Sequence, residues 1–154
     1  MIDNSFSYQS IDCDEIVIRY AEWMSGNCLL NSRFNKMDLK YCTLSEQHVI
    51  SFINKWMNST DKRFQELIVG KKYGVWNKQC FEELITKPWD WKSEERARNY
   101  RLSPEKAIDF SKALDFERSD GLLASLLITS FKIYFVVWHD RFPETDGLRL
   151  VDIY

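Results

Sequence analysis

The chain has 154 residues, 45% of them apolar and 29% charged, which excludes disorder and predicts a single globular domain over residues 1–154. Its net charge of −2 argues against a dedicated non-specific nucleic-acid binder, which carries a strong basic excess. Five glycines and three prolines, beside six Trp, seven Tyr and ten Phe, disfavour sandwiches and propellers, whose many sharp turns use Gly and Pro.

Residues 1–22 hold five acids against Arg19, a net of −4. The opening "MIDNSFSYQSIDCDE" has no basic and no apolar region of the kind a secretory signal needs, which predicts a cytoplasmic protein. In that reducing setting Cys13, Cys28, Cys42 and Cys80 read as thiols. Their long gaps contain no CxxC pair, so no zinc site is spelled out, and neither metal nor cofactor is expected.

Over residues 12–25, Asp12 and Glu15 mimic a capping box. Ile16, Val17, Tyr20, Ala21 and Met24 share one helical face, so the stretch reads as a helix stopping near Gly26. The adjacent β-branched residues of "EIVIRYAEW" admit a strand instead. Residues 27–42 show no clean period and read as a loop or short strand. Thr43 and Glu46 start a helix over 43–59, with Val49, Ile50, Ile53, Trp56 and Met57 at 3.6 spacing and Phe52 on the flank.

A short helix over 61–69 follows, capped by Thr60 and stopped by Gly70. Here the charge reverses: residues 55–78 hold six bases against Asp61 and Glu66, a net of +4. "GKKYG" reads as a turn, and 75–86 as another helix, ended before Pro88. A polar connection with balanced charge leads to Ser103-Pro104-Glu105, a helix-start pattern, and hence to a helix over 104–118.

The apolar run 122–138 contains one charge, Lys132, but is shorter than the roughly 20 residues a spanning helix requires. Its β-branched and aromatic second half suits a strand. Residues 131–140 and 148–153 are therefore predicted as an antiparallel hairpin joined by "FPETDG". The resulting fold class is α+β: a mainly helical single domain with a C-terminal antiparallel β-hairpin.

Chemistry is sparse. His139 falls where an apolar strand meets water, which reads as a boundary rather than a general base. Asp140 would point to the opposite face, leaving Asp152 as the better orienting partner for an enzyme reading. His48 flanks the apolar stripe of its helix. There is no GxGxxG, no phosphate-binding loop, no GxSxG and no HExxH. "GKKYGVWNK" interleaves lysines with Tyr73 and Trp76 in the manner of a stacking patch, but in a chain that is acidic overall it reads rather as a solvated loop with Trp76 entering the next helix as core. Trp89 and Trp91 share one side of an extended segment, either folded onto the core or presented as partner anchors.

No catalytic residue is assigned. The expectation is a protein-binding module of the bacterial immunity, antitoxin or toxin-inhibitor type, neutralising a basic protein partner. A small hydrolytic or nucleic-acid-processing enzyme using His139 is the alternative. The candidate contacts are Asp12, Asp14, Glu15, Trp89, Trp91, Asp109, Asp115, Glu117 and Asp120.

Overall fold

In the computed structural model, which describes residues 9–153, the first half of the chain alternates strand and helix. Strands β1 (Glu15–Ile18), β2 (Lys36–Cys42) and β3 (Glu66–Lys71) run parallel, connected through helices α1 (Gly26–Asn31) and α2 (Glu46–Met57). The second half is built from short strands: β4 (Lys87–Pro88), β5 (Asn99–Arg101), β6 (Lys106–Asp109), β7 (Leu114–Glu117), β8 (Leu123–Ile128), β9 (Lys132–Val137) and β10 (Arg149–Leu150). One seven-stranded sheet has the order β1-β2-β3-β9-β8-β7-β4, antiparallel from β3 onward. A three-stranded sheet has the order β10-β6-β5.

The large sheet is buried on both faces. Along β9, Ile133, Phe135 and Val137 enter one core, while Tyr134, Val136 and the following Trp138 enter the other. The first core is closed by α2, through Val49, Ile50, Phe52, Ile53 and Trp56. The second is closed by the small sheet, through Tyr100, Ile108 and Phe110. Strands covered on both sides are near-continuous apolar runs, so β3, β8 and β9 carry no polar alternation.

The mainly helical fold class is thereby corrected. Ten strands and only short helices make up the described residues. Residues 12–25 form β1, because Ile16 and Ile18 face the helices from an edge strand and bury better there than on an isolated helix. Residues 61–69 lead into β3, not a helix. Residues 104–118 form β6 and β7: the Ser103 hydroxyl accepts from the backbone N–H groups of Glu105 and Lys106, which makes a turn rather than a helix cap. Within 75–86 only a 3₁₀ turn, Lys78–Glu83, is helical.

The C-terminal hairpin is also overturned. β9 pairs with β3 and β8, whereas β10 lies parallel to β6 in the other sheet. Helix α2 was read correctly, with Ser45 as its cap in place of Thr43. His48 completes the capping box, its Nδ1 accepting from the Ser45 N–H at 3.0 Å.

Candidate protein-binding groove

The N-terminal ends of β2 and β3 and the C-terminal ends of α1 and α2 converge on a groove of about 490 Å³. Its lining is aromatic below and cationic above. Phe34 stacks on Phe52 at 5.7 Å, and Phe64 meets Phe52 edge-on at 5.3 Å. Trp56 tilts against Phe64 at 6.4 Å. Burial of these rings gives the wall its rigidity, since aromatic pairs in such geometries add to their area burial. Arg33, Lys55 and Arg63 are exposed along the rim, against Asp61 as the acid among the lining residues.

The wall is held from behind. The Arg118 side chain is 1% exposed, lies 4.4 Å from the Trp56 ring, and donates to the Trp56 carbonyl at 3.3 Å and the Ser59 hydroxyl at 3.2 Å. Asp120 neutralises it through two bonds of 3.0 and 2.7 Å, and that guanidinium holds the Asp120 carboxyl down at about 2. The Lys55 ammonium donates to the Leu30 carbonyl, which ties α2 to the end of α1. The Trp56 indole N–H is buried and has no acceptor among the described residues.

The candidate contacts named from the sequence are scattered by the fold. Asp12 and Asp14 are exposed beside β1, and Glu15 begins it. Asp14 pairs with Arg63 at 3.4 Å and Glu22 with Lys72 at 2.6 Å, so the acidic and basic segments of the sequence face each other. Asp3, counted in the acidic segment, lies outside the described residues. Trp89 folds back, donating its indole N–H to the Arg96 carbonyl at 3.3 Å, whereas Trp91 is 68% exposed.

Asp109 pairs with Arg98 at 3.0 Å, and that partner holds its carboxyl below the usual range against the opposing effect of burial. Glu117 is exposed at the end of β7. Asp115 is 2% exposed, bound by Arg96 and by the Ser125 hydroxyl at 2.6 Å. His139, the residue of the enzyme reading, has Nε2 2.8 Å from the Phe64 carbonyl, to which it donates, and so anchors the entry to β3.

Sequence reading missed the groove because Phe34, Phe52 and Phe64 come from three separated segments. The basic excess over residues 55–78 was its one visible trace, since Lys55 and Arg63 belong to the rim.

On the opposite face of the sheet, Glu66 is buried and accepts from the Tyr100 hydroxyl at 2.8 Å. Burial pushes its carboxyl up, and does the same to Asp38. Tyr134, facing both, is pushed up to about 12, first by burial. At the other end of the parallel strands, exposed Tyr20 and Tyr41 stack at 5.7 Å. Trp76 of "GKKYGVWNK" is core, donating to the Phe131 carbonyl at 3.1 Å, while Tyr73 is exposed. All four cysteines are thiols, and burial raises those of Cys13, Cys28 and Cys42. Among the described residues no three His, Cys, Asp or Glu side chains are grouped to hold a metal ion, and no helix is long and apolar enough to cross a membrane.

The groove thus sets packed aromatic rings beneath a rim of charged side chains. Residues 7–69 match the family model described as F-box associated, a family of substrate-binding type domains and not of enzymes. The chain is also similar to two uncharacterised proteins of Caenorhabditis elegans. One is 30% identical over 155 residues, covering 96% of this chain and 36% of that protein. The other is 28% identical over 148 residues, covering 92% and 34%. The chain thus spans about a third of the length of the curated relatives it matches. No solved structure matches.

These likenesses overturn the expectation of a bacterial immunity or toxin-inhibitor protein, because the relatives are from a nematode and the matched family is F-box associated. Domains of the matched family generally bind protein partners, in agreement with the expected protein partner, but nothing supports a basic or toxin-like one.

Proposed function

We propose that this chain is a substrate-recognition module that binds a protein partner, without catalysis, through the groove between α1, α2, β2 and β3. One observation carries the reading: every residue lining the groove falls inside the 7–69 segment that matches the F-box associated family. Rings held in place by packing cost little ordering on association, and Arg is among the side chains that dominate interface energies. The exposed Trp91 and the Asp12, Asp14 and Glu15 segment are candidate additional contacts; Asp14 adjoins the groove through Arg63.

The test is quantitative affinity capture of the tagged chain from nematode extract, compared with the Arg33→Glu/Arg63→Glu variant. Partners recovered by the wild type should be depleted from the variant. An identical set of partners from both proteins would refute recognition through the groove.

A further inference from the structure

We infer that the groove takes an acidic segment of its partner, with one apolar side chain seated among the rings and flanking carboxylates on the cationic rim. The inference rests on the recognition reading above and specifies the ligand chemistry for the same site.

Three observations converge. A volume of about 490 Å³ lies within the roughly 300–1,000 Å³ of pockets that engulf a ligand, and Phe34, Phe52, Phe64 and Trp56 give it an apolar wall. The rim charge is unbalanced: Arg33, Lys55 and Arg63 outnumber Asp61, whose Oδ1 already accepts from the Arg63 backbone N–H at 2.7 Å. Asp14 pairs with Arg63 at 3.4 Å with both side chains well exposed, a pair that screening keeps weak and a competing carboxylate can displace. Finally, a buried donor without an acceptor is uncommon in a native structure, and the Trp56 indole N–H is such a donor. Trp56 lines the groove, and a small shift of the wall on binding would let a carbonyl or carboxylate oxygen of the bound segment satisfy it.

This chemistry is opposite to the basic partner expected from the overall charge of −2. The net charge is a sum over the surface, whereas binding responds to the field at the site. Phosphates of a nucleic acid would meet the same cations. The single-pocket shape of the wall and the matched family's protein partners favour a peptide.

The experiment selects binders from a random-peptide display library on the full chain, with binders to the Arg33→Glu/Arg63→Glu variant subtracted. The enriched peptides should place Asp or Glu on both sides of an apolar residue. Amide replacement of those acids, or raising salt from about 0.1 M to about 1 M, should weaken binding roughly tenfold or more. The indole ¹H–¹⁵N resonance of Trp56 should move on titration, a readout that needs no variant. Trp56→Phe, which keeps a ring and removes the donor, should weaken binding about two- to tenfold.

Enriched peptides that need the groove but are neutral or basic would overturn the acidic assignment and leave the recognition reading standing. A library whose binders are all removed by the subtraction, or whose remaining peptides leave the Trp56 resonance unmoved, would overturn both. A single-stranded oligonucleotide that displaces the selected peptides at lower concentration than they bind would overturn the inference in favour of nucleic acid. Thermal melting of the rim variant, whose two changes are at exposed residues, separates lost binding from lost folding.

Discussion

Removing the Asp115 carboxylate should be among the most damaging single changes to this protein. Arg96 and Asp115 have side chains 0% and 2% exposed. The carboxylate accepts from Arg96 Nε at 3.0 Å on each oxygen and from the Ser125 hydroxyl at 2.6 Å, and Arg96 Nη2 lies 2.9 Å from its Oδ1. The rest of the guanidinium donates to the Ala97 and Phe110 carbonyls, at 2.9 and 3.0 Å, and those neutral acceptors cannot balance its charge. Asp115→Ala therefore leaves an uncompensated buried cation, at a cost of about 3–5 kcal/mol. Against a typical native stability of about 5–15 kcal/mol that is a large fraction, and it corresponds to a fall in Tm of about 6–20 °C. The double variant Arg96→Met/Asp115→Leu removes both charges and should recover most of the loss. It should not recover all of it, because Ser125, which accepts from the Trp138 indole N–H at 2.8 Å, loses its own acceptor, worth about 1–3 kcal/mol. Urea unfolding of the wild type, Arg96→Met, Asp115→Leu and the double variant measures the cycle, with Asp115→Ala alongside. An Asp115→Ala protein within about 1 kcal/mol of wild type, or a double variant no more stable than the single, would refute the reasoning.

Three further outcomes follow from local geometry. Asp120 is held at about 2, below its unfolded value near 3.9, so its stabilisation is complete above about pH 4 and is lost as pH falls through about 2; acid unfolding of Asp120→Asn should lack that component. Glu66 is shifted the other way: the stability of its protonated form is present below the ordinary carboxylate pKa, about 4.3, and lost as pH rises through the raised folded value. Glu66→Gln, which keeps an acceptor for Tyr100, should therefore raise stability at neutral pH and flatten its dependence there, and a less stable variant at pH 7 in urea titrations would count against this. At Gly26, an added Cβ would meet His48 Cδ2 at 2.3 Å; Gly26→Ala should displace the ring from the α2 capping box and cost about 1 kcal/mol by thermal melting, and less in a His48→Ala background.

How much of this was legible depended on whether a segment carried a period. Helix α2 has one buried face, and its stripe from Val49 to Trp56 could be read. The split of β9 into two faces was also readable, because both sets of residues are large and apolar. β3, β6 and β7 read as helices in the sequence because short strands buried on both sides have neither an alternating pattern nor enough length to exclude a helical one. The scarcity of Gly and Pro misled in a second way. This chain makes turns with aspartate: Asp61, Asp90, Asp109 and Asp140 each accept from the backbone N–H two residues on, at 2.7 to 3.0 Å. Asp120 does so at 3.3 Å. Side-chain turns of this type replace the φ > 0 chemistry of glycine, so a low glycine count does not imply few strands. They also account for part of the acidic surface that the sequence offered as contact candidates, since Asp109 and Asp120 are committed to turns and to Arg98 and Arg118.

The family match ends at Val69, within β3, yet the groove it encloses is not complete at that point. β3 is a central strand whose far edge is closed by β9, in register from Glu66↔Val136 to Gly70↔Lys132. Phe64 stacks on Phe135 at 5.4 Å, and Trp56 meets the same ring edge-on at 5.7 Å, so the aromatic wall has its backing in the antiparallel half. Arg118, from the turn between β7 and β8, crosses the core to grip Trp56 and Ser59. A guanidinium buried that deeply is tolerated only because Asp120 neutralises it, and Asp120 sits in the same turn. The parallel half therefore supplies the lining of the groove, and the antiparallel half backs its rings. The nematode relatives resemble this chain across both halves at 28–30% identity, whereas the lining of the groove comes from the first alone.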